Sequence, residues 1–103
     1  MKHALLIIPK AGQDIEEIMA FYGGEDDDLS SRFMIALRKC FRDLQDNPYL
    51  STPYLREEVR RVFLLKWPYH VYFRIADTQV RVQAIIHTSR DPRYISKRTR
   101  NAR

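Results

Sequence analysis

The spacing of apolar residues along this chain changes period twice, and the changes mark its elements. Residues 5–8 form a short apolar run, read as a strand and closed by Pro9, which has no N–H to give a ladder. Ala11, Ile15, Ile18, Met19 and Tyr22 then recur at helical spacing, sending Gln13, Asp14, Glu16 and Glu17 outward. Gly23-Gly24 predicts the end of that helix, because glycine accepts the left-handed conformation common there. Acids follow from Glu25 to Asp28, and Asp27 or Asp28 is expected to cap a second helix. On that helix Leu29, Phe33, Ala36, Leu37, Cys40, Phe41 and Leu44 make one continuous stripe, with Arg32, Arg38, Lys39 and Arg42 off it. Asn47-Pro48 stops it, since proline restricts the residue before it.

After a loop over residues 48–58 the period drops to two. Residues 59–66 predict a strand that Trp67-Pro68 breaks. In the next strand Tyr69, Val71, Phe73 and Ile75 share one face, and His70, Tyr72 and Arg74 the other. A tight turn at Asp77-Thr78 leads to a last strand, with Val80, Val82, Ala84 and Ile86 on one side and Arg81, Gln83, Ile85 and His87 on the other. The expected architecture is α+β, in the order β-α-α-β-β-β. A helix hairpin packs on one face of a mostly antiparallel four-stranded sheet, and a basic C-terminal arm follows. At 103 residues the chain is read as a single domain, residues 1–103.

Charge changes this picture at one end. Residues 90–103 carry Arg90, Arg93, Lys97, Arg98, Arg100 and Arg103 against Asp91 alone, which accounts for the whole net charge of +5. Charge so placed acts on partners by attracting an anionic surface or nucleic acid. The arm is therefore expected to bind a target, and removal of residues 96–103 to leave the domain folded.

Hairpin arithmetic adds a second cationic feature. A two-residue turn at Asp77-Thr78 sets Arg74 across from Arg81, and one at Trp67-Pro68 sets Arg61 across from Arg74. Arg61, Arg74 and Arg81 then form a row on the face away from the helices. Like charges directly opposite destabilise a sheet, so the row makes sense if an anion covers it. A slip of one residue would put Arg60 there instead of Arg61. If Val62 and Leu64 face the helices, Phe63 and Leu65 lie on the open face, and an apolar patch beside cations marks a protein interface or the docking place of the chain's own tail.

Other chemistry finds little support. One cysteine and three histidines show no ligand spacing, so no metal or other cofactor is expected, and Asp26-Asp27-Asp28 reads as a helix start. There is no glycine-rich phosphate loop. Cys40 on the apolar stripe reads as a buried structural thiol. Ser89, His87 and Asp91 are too close in sequence to make a catalytic triad. His87 is read either as a strand-end imidazole beside an Arg90–Asp91 ion pair, or with Arg90 and Tyr94 as part of a contact surface. The lone cysteine suits a reducing compartment, the N-terminal apolar run is short for a signal peptide, and no run is long enough to cross a membrane. A cytoplasmic protein is expected, with no membrane partner.

In order and motif the chain resembles the RelE/ParE superfamily of toxins from type II toxin–antitoxin systems. The matching features are Ala11-x-x-Asp14-Ile15-x-x-Ile18, Arg32-Phe33 and Asn47-Pro48 in the first half. Pro68-Tyr69-His70-Val71-Tyr72-Phe73 and Ile86-His87-x-x-Arg90-Asp91 continue it. The resemblance implies a small toxin held inactive in a hetero-oligomer by a cognate antitoxin, whose C-terminal segment wraps around it. It also implies one of two activities. RelE-like members cleave messenger RNA at the ribosome without a metal, using basic residues on the sheet and a tyrosine after the last strand. Arg61 and Tyr94 fit two of those places, His70 replaces an arginine, and Phe63 and Thr88 stand where basic residues are expected. ParE-like members act on DNA gyrase through protein contacts, and the Pro68–Phe73 strand and the His87-x-x-Arg90-Asp91 ending favour this branch. The expected activity is therefore non-enzymatic gyrase inhibition, with growth arrest and plasmid stabilisation as its biology. The alternatives are a metal-independent mRNA endonuclease, or a degenerate toxin fold that only binds a partner or nucleic acid. Arg61, Arg74, Arg81, His87, Arg90 and Tyr94 are the expected target- or antitoxin-binding residues, with no catalytic residue assigned.

Overall fold

The computed structural model describes residues 2–54 and 56–100, and at 27, 56 and 57 the backbone alone. Its elements are β1 (Ala4–Ile7), α1 (Pro9–Glu25), α2 (Asp27–Asp46), a 3-10 turn (Pro48–Leu50), β2 (Thr52–Tyr54), β3 (Arg56–Phe63), β4 (Tyr69–Ala76), β5 (Gln79–His87) and α3 (Pro92–Arg100). The strands lie in the order β1-β5-β4-β3-β2, with β1 parallel to β5 and the other neighbours antiparallel. The expected α+β frame therefore holds. A short fifth strand within the predicted loop extends the sheet, and a helix occupies the predicted arm; residues 101–103 of that arm lie outside the described residues.

The hairpin of α1 and α2 covers one face. Phe33, Leu37, Phe41 and Leu44 of the predicted stripe are buried with Ile8, Ala11 and Ile18 against Val71, Phe73, Val80 and Val82. Gly23 and Gly24 do not end α1. Neither glycine adopts a positive φ, and the helix runs on until Asp26, extended at φ −168°, donates its N–H to the Tyr22 carbonyl. Asp26, rather than Asp27 or Asp28, caps α2 by accepting from the Asp28 N–H at 2.9 Å. One extended aspartate thus closes one helix and opens the next.

Two departures in the sheet decide where side chains point. The turn between β3 and β4 spans residues 65–68 instead of Trp67-Pro68 alone. Leu64 donates to the Tyr69 carbonyl at 2.9 Å, and Lys66 takes a positive φ of 73°. Pro68 cannot donate to a ladder, and Trp67 leaves the strand to pack 5.1 Å from the Tyr22 ring and 5.3 Å from Phe33. Arg61 consequently lies across from Tyr72, not Arg74. Its face is the expected one, and its neighbour is shifted by two residues.

The second departure is a bulge between Tyr72 and Phe73. Phe73 pairs with Val82 and Tyr72 with Ala84, so Gln83 is the extra residue. The phase of β5 flips there. Val80, Val82 and Ile85 face the helix hairpin, while Ala84 and Ile86 face the other side, against the alternation expected for all four even positions.

That other side is not open along its length. Ile95 of α3 is buried there with Val59, Tyr72, Ala84 and Ile86 as a second, smaller core. Thr99, 1% exposed, is buried as well. The expectation of an arm independent of the domain is thus corrected: α3 is amphipathic, and the sheet supplies its apolar partner.

Candidate functional site

Asp14 organises the junction of α1, β5 and α3. The β1–β5 ladder ends at Ile7–Val82, so the amide of Ile85 has no strand beside it. The Asp14 carboxylate takes that place and accepts from Ile85 N at 3.0 Å. It also receives both Arg98 Nη atoms, Nη1 at 3.0 Å and Nη2 at 2.6 Å. The two side chains are 11% and 10% exposed, so this is a buried, bidentate pair. Burial alone would lower the Arg98 pKa, but its bonds to Asp14 and Tyr94 leave it raised above the ordinary value. Sequence reading placed Asp14 outward with its acidic neighbours; its membership in the Ala11-x-x-Asp14 motif was the only signal that it differs.

Three expected site residues meet beside this pair. Tyr94 accepts from Arg98 Nη1 at 3.0 Å, and Arg90 lies over the Tyr94 ring at 4.0 Å. His87, Arg90 and Tyr94 line a shallow cavity of about 90 Å³ with Asp14, Glu17 and Tyr69. His87 Nδ1 accepts the Ser89 N–H at 3.1 Å and lies 2.8 Å from Ser89 Oγ. Asp91 takes no part in a triad and does not pair with Arg90. It accepts from Arg93 N at 2.7 Å and Arg93 Nη2 at 3.1 Å. Those bonds hold its carboxyl below the usual range.

The arginine row does not form as expected. Arg74 and Arg81 do stand directly opposite each other. The structure supplies its own compensation: Arg74 Nη1 meets Glu58 at 2.6 Å, and Nη2 donates to the Thr99 carbonyl at 2.9 Å. That carbonyl belongs to the last turn of α3, the negative end of its dipole. The Nε atoms of both arginines are buried, and among the described residues neither has a hydrogen-bond partner. Arg61 is separate, with its Cζ 4.2 Å from the Tyr54 ring centre and Nη1 3.5 Å from the Tyr72 hydroxyl. Arg61 is therefore set apart from the Arg74–Arg81 pair rather than aligned with it.

Toward β3 the same face carries Phe63 across from His70, and Phe63 is 48% exposed. Burial, and after it the Arg61 cation, hold the His70 imidazole below its ordinary value of 6.5. The unfolded chain takes up that proton first as pH falls, so this contribution to stability is complete above about pH 6.5 and is lost below it. His70→Gln should therefore give a shallower fall of Tm between neutral and mildly acid pH than the parent chain. An unchanged slope would show that His70 titrates as freely folded as unfolded.

A third feature lies on the helix side. Ala36, Cys40, Leu44, Val62 and Leu64 line an apolar groove of about 340 Å³ between α2 and β3, with Phe63, Leu65, Lys39, Asp43 and Lys66 at its edges. Leu65 is 73% exposed. Burial foremost, then Asp43, pushes the Cys40 thiol up to about 11, which keeps it protonated. Among the described residues no group of His, Cys, Asp and Glu could hold a metal ion, and no helix is long and apolar enough to cross a membrane.

Toward β3 the sheet face thus offers aromatic rings beside the Arg61 guanidinium. Among curated proteins none is significantly similar in sequence. A chain of the solved chromosomal ParDE TA system from P. aeruginosa is 19% identical, with a TM-score of 0.74 over 84% of this chain and 96% of that one. A chain of the toxin–antitoxin complex RelBE2 from Mycobacterium tuberculosis is 17% identical, with a TM-score of 0.61 over 84% and 99%. These likenesses establish the fold. The model of the family described as the ParE toxin of type II toxin–antitoxin system, parDE, matches residues 5–92, up to the first residue of α3. The chain thus belongs to the ParE toxin family, the ParE-like branch of the RelE/ParE superfamily.

Proposed function

We propose that this toxin acts in the cytoplasm by inhibiting DNA gyrase through protein contacts, without cleaving nucleic acid, and that a cognate antitoxin neutralises it. The observation that carries this reading is the make-up of the sheet face. A metal-free ribonuclease must activate a 2′-hydroxyl, stabilise charge on phosphate and protonate a leaving oxygen. Phe63 occupies the position across from His70, where the ribonuclease branch would need a cation. Thr88 is likewise uncharged, and α3 lies over Ala84 and Ile86 beside it. The cations left exposed, Arg90, Arg93, Lys97 and Arg100, suit recognition of an acidic surface rather than catalysis.

The groove between α2 and β3 supports the antitoxin part of the reading. Its apolar floor, the exposed Leu65 and the flanking Lys66 fit an amphipathic segment laid along it with an acid toward Lys66. Induced expression of the full chain should arrest growth and relax plasmid supercoiling in the cell. Co-expression of the antitoxin encoded beside it should restore both. Abundant folded toxin with normal growth and supercoiling would count against the proposal.

A further inference from the structure

The Arg74–Arg81 pair is balanced on one side only. Arg81 stands directly across from Arg74 on β4, and its neighbour on β1 is Leu6, so no acid flanks it in the sheet. Glu58 and the Thr99 carbonyl both go to Arg74. Among the described residues no carboxylate lies within ion-pair distance of Arg81, and its guanidinium makes no hydrogen bond. The Gln83 side chain, 0% exposed, gives it no acceptor either. Its Nε2 lies 3.5 Å from the Arg81 carbonyl, and its Oε1 has no partner.

Burial makes this imbalance matter. The Nε atoms of both arginines are sealed from water, so solvent screens their mutual repulsion less than it would on an open surface. Glu58 can offset one guanidinium, and one positive charge remains. The Arg81 Nη atoms are not among the sealed, unbonded atoms, so an anion can reach them from solvent. The last turn of α3 lies at this place, with the Thr99 carbonyl on Arg74, which leaves little of the pair open to a broad protein surface. One unmatched charge at a narrow opening suits one small monovalent anion, held by the guanidinium N–H groups.

We propose that Arg81, backed by Arg74, is a binding site for a single small anion, chloride or a free carboxylate such as acetate, seated on the Arg81 Nη atoms. The anion offsets the repulsion between the two guanidiniums and so steadies Arg74 in its bond to the last turn of α3. The site is separate from the contacts proposed for gyrase and for the antitoxin, and its test is independent of both.

The test is thermal denaturation of the full-length toxin in a sodium chloride series and a sodium acetate series. In either or both, the parent should melt roughly 4–8 °C higher once the anion is about fivefold above its dissociation constant, because only the folded chain binds it. Comparison of the two series tells chloride from carboxylate. Lys97→Gln removes the same charge from the exposed side of α3 and should keep this response. Arg81→Gln should lose most of it, and at low salt should melt no lower than the parent, since the repulsion is gone. Arg81→Lys keeps the charge without the planar fork and covers the case in which glutamine disturbs the sheet. It should bind several-fold more weakly than the parent. The chloride NMR linewidth gives a direct reading: the line should broaden with the parent and with Lys97→Gln, and much less with Arg81→Gln. No anion-dependent rise in the parent, or equal rises in the parent and both Arg81 variants, would overturn the proposal. So would an equal loss of the response in Lys97→Gln, which would mark general screening by salt.

Discussion

Asp14→Ala should destabilise the full-length toxin by about 3–5 kcal/mol, the usual cost of stripping a buried charge of its partner. The substitution leaves the Arg98 guanidinium 10% exposed without its carboxylate and the Ile85 amide without an acceptor. At roughly 4–8 °C per kcal/mol for a domain near this size, the melting temperature should fall by more than about 12 °C. Thermal denaturation followed by circular dichroism reads this directly. Asp14→Asn, which keeps an acceptor for Ile85 but loses the charge, should fall between the two. A double-mutant cycle with Arg98→Ala should show a coupling above about 1 kcal/mol. A loss below about 1 kcal/mol for Asp14→Ala would mean that α3 is not fastened to α1 in solution.

The larger effect is expected from removing α3. A chain ending at Asp91 exposes Val59, Tyr72, Ala84 and Ile86 and discards Ile95, Thr99 and Arg98 together. Loss of the Ile95 contact alone is worth about 1.5–3 kcal/mol, and the Asp14–Arg98 pair adds the cost already given. Together these approach the whole stability of a small domain, about 5–15 kcal/mol. The truncated chain should lack a cooperative melt and should associate through its uncovered sheet face, read by circular dichroism and size-exclusion chromatography. A truncated monomer that melts cooperatively at the parent temperature would restore the view of α3 as an accessory arm.

That view came from the sequence for a physical reason. Four Lys or Arg residues among the nine of α3 overwhelm its short apolar side, and Ile95 and Thr99 make a stripe only once the sheet is there to receive them. Arg98 counted as surface charge because nothing local signals a carboxylate 84 residues away. The helix hairpin, by contrast, was legible, since Phe33, Leu37, Phe41 and Leu44 repeat over about three turns and need no distant partner to be recognised. Strand parity was legible through Tyr69, Val71 and Phe73. Register was not, because it depended on Trp67 leaving the strand and on the bulge at Gln83, both settled by packing. Of the expected site, His87, Arg90 and Tyr94 lie together around one cavity. Arg61, Arg74 and Arg81 share a face but not a row, and Asp14, the residue that joins three elements, was hidden among solvent-facing acids.

These corrections bear on function. With Arg74 engaged by Glu58 and the Thr99 carbonyl, and Arg93 by Asp91, much of the positive potential offered to a partner comes from Arg61, Arg90, Lys97 and Arg100. It borders α3 instead of filling a cleft. Such a surface can dock against an acidic protein or hold phosphates.

The most direct measurement adds the purified full-length toxin to gyrase with relaxed plasmid and ATP, and in parallel to ribosomes programmed with mRNA. Supercoiling should be inhibited while the ribosome-bound message stays intact. Codon-dependent cleavage of the message with supercoiling unimpaired would contradict the gyrase reading.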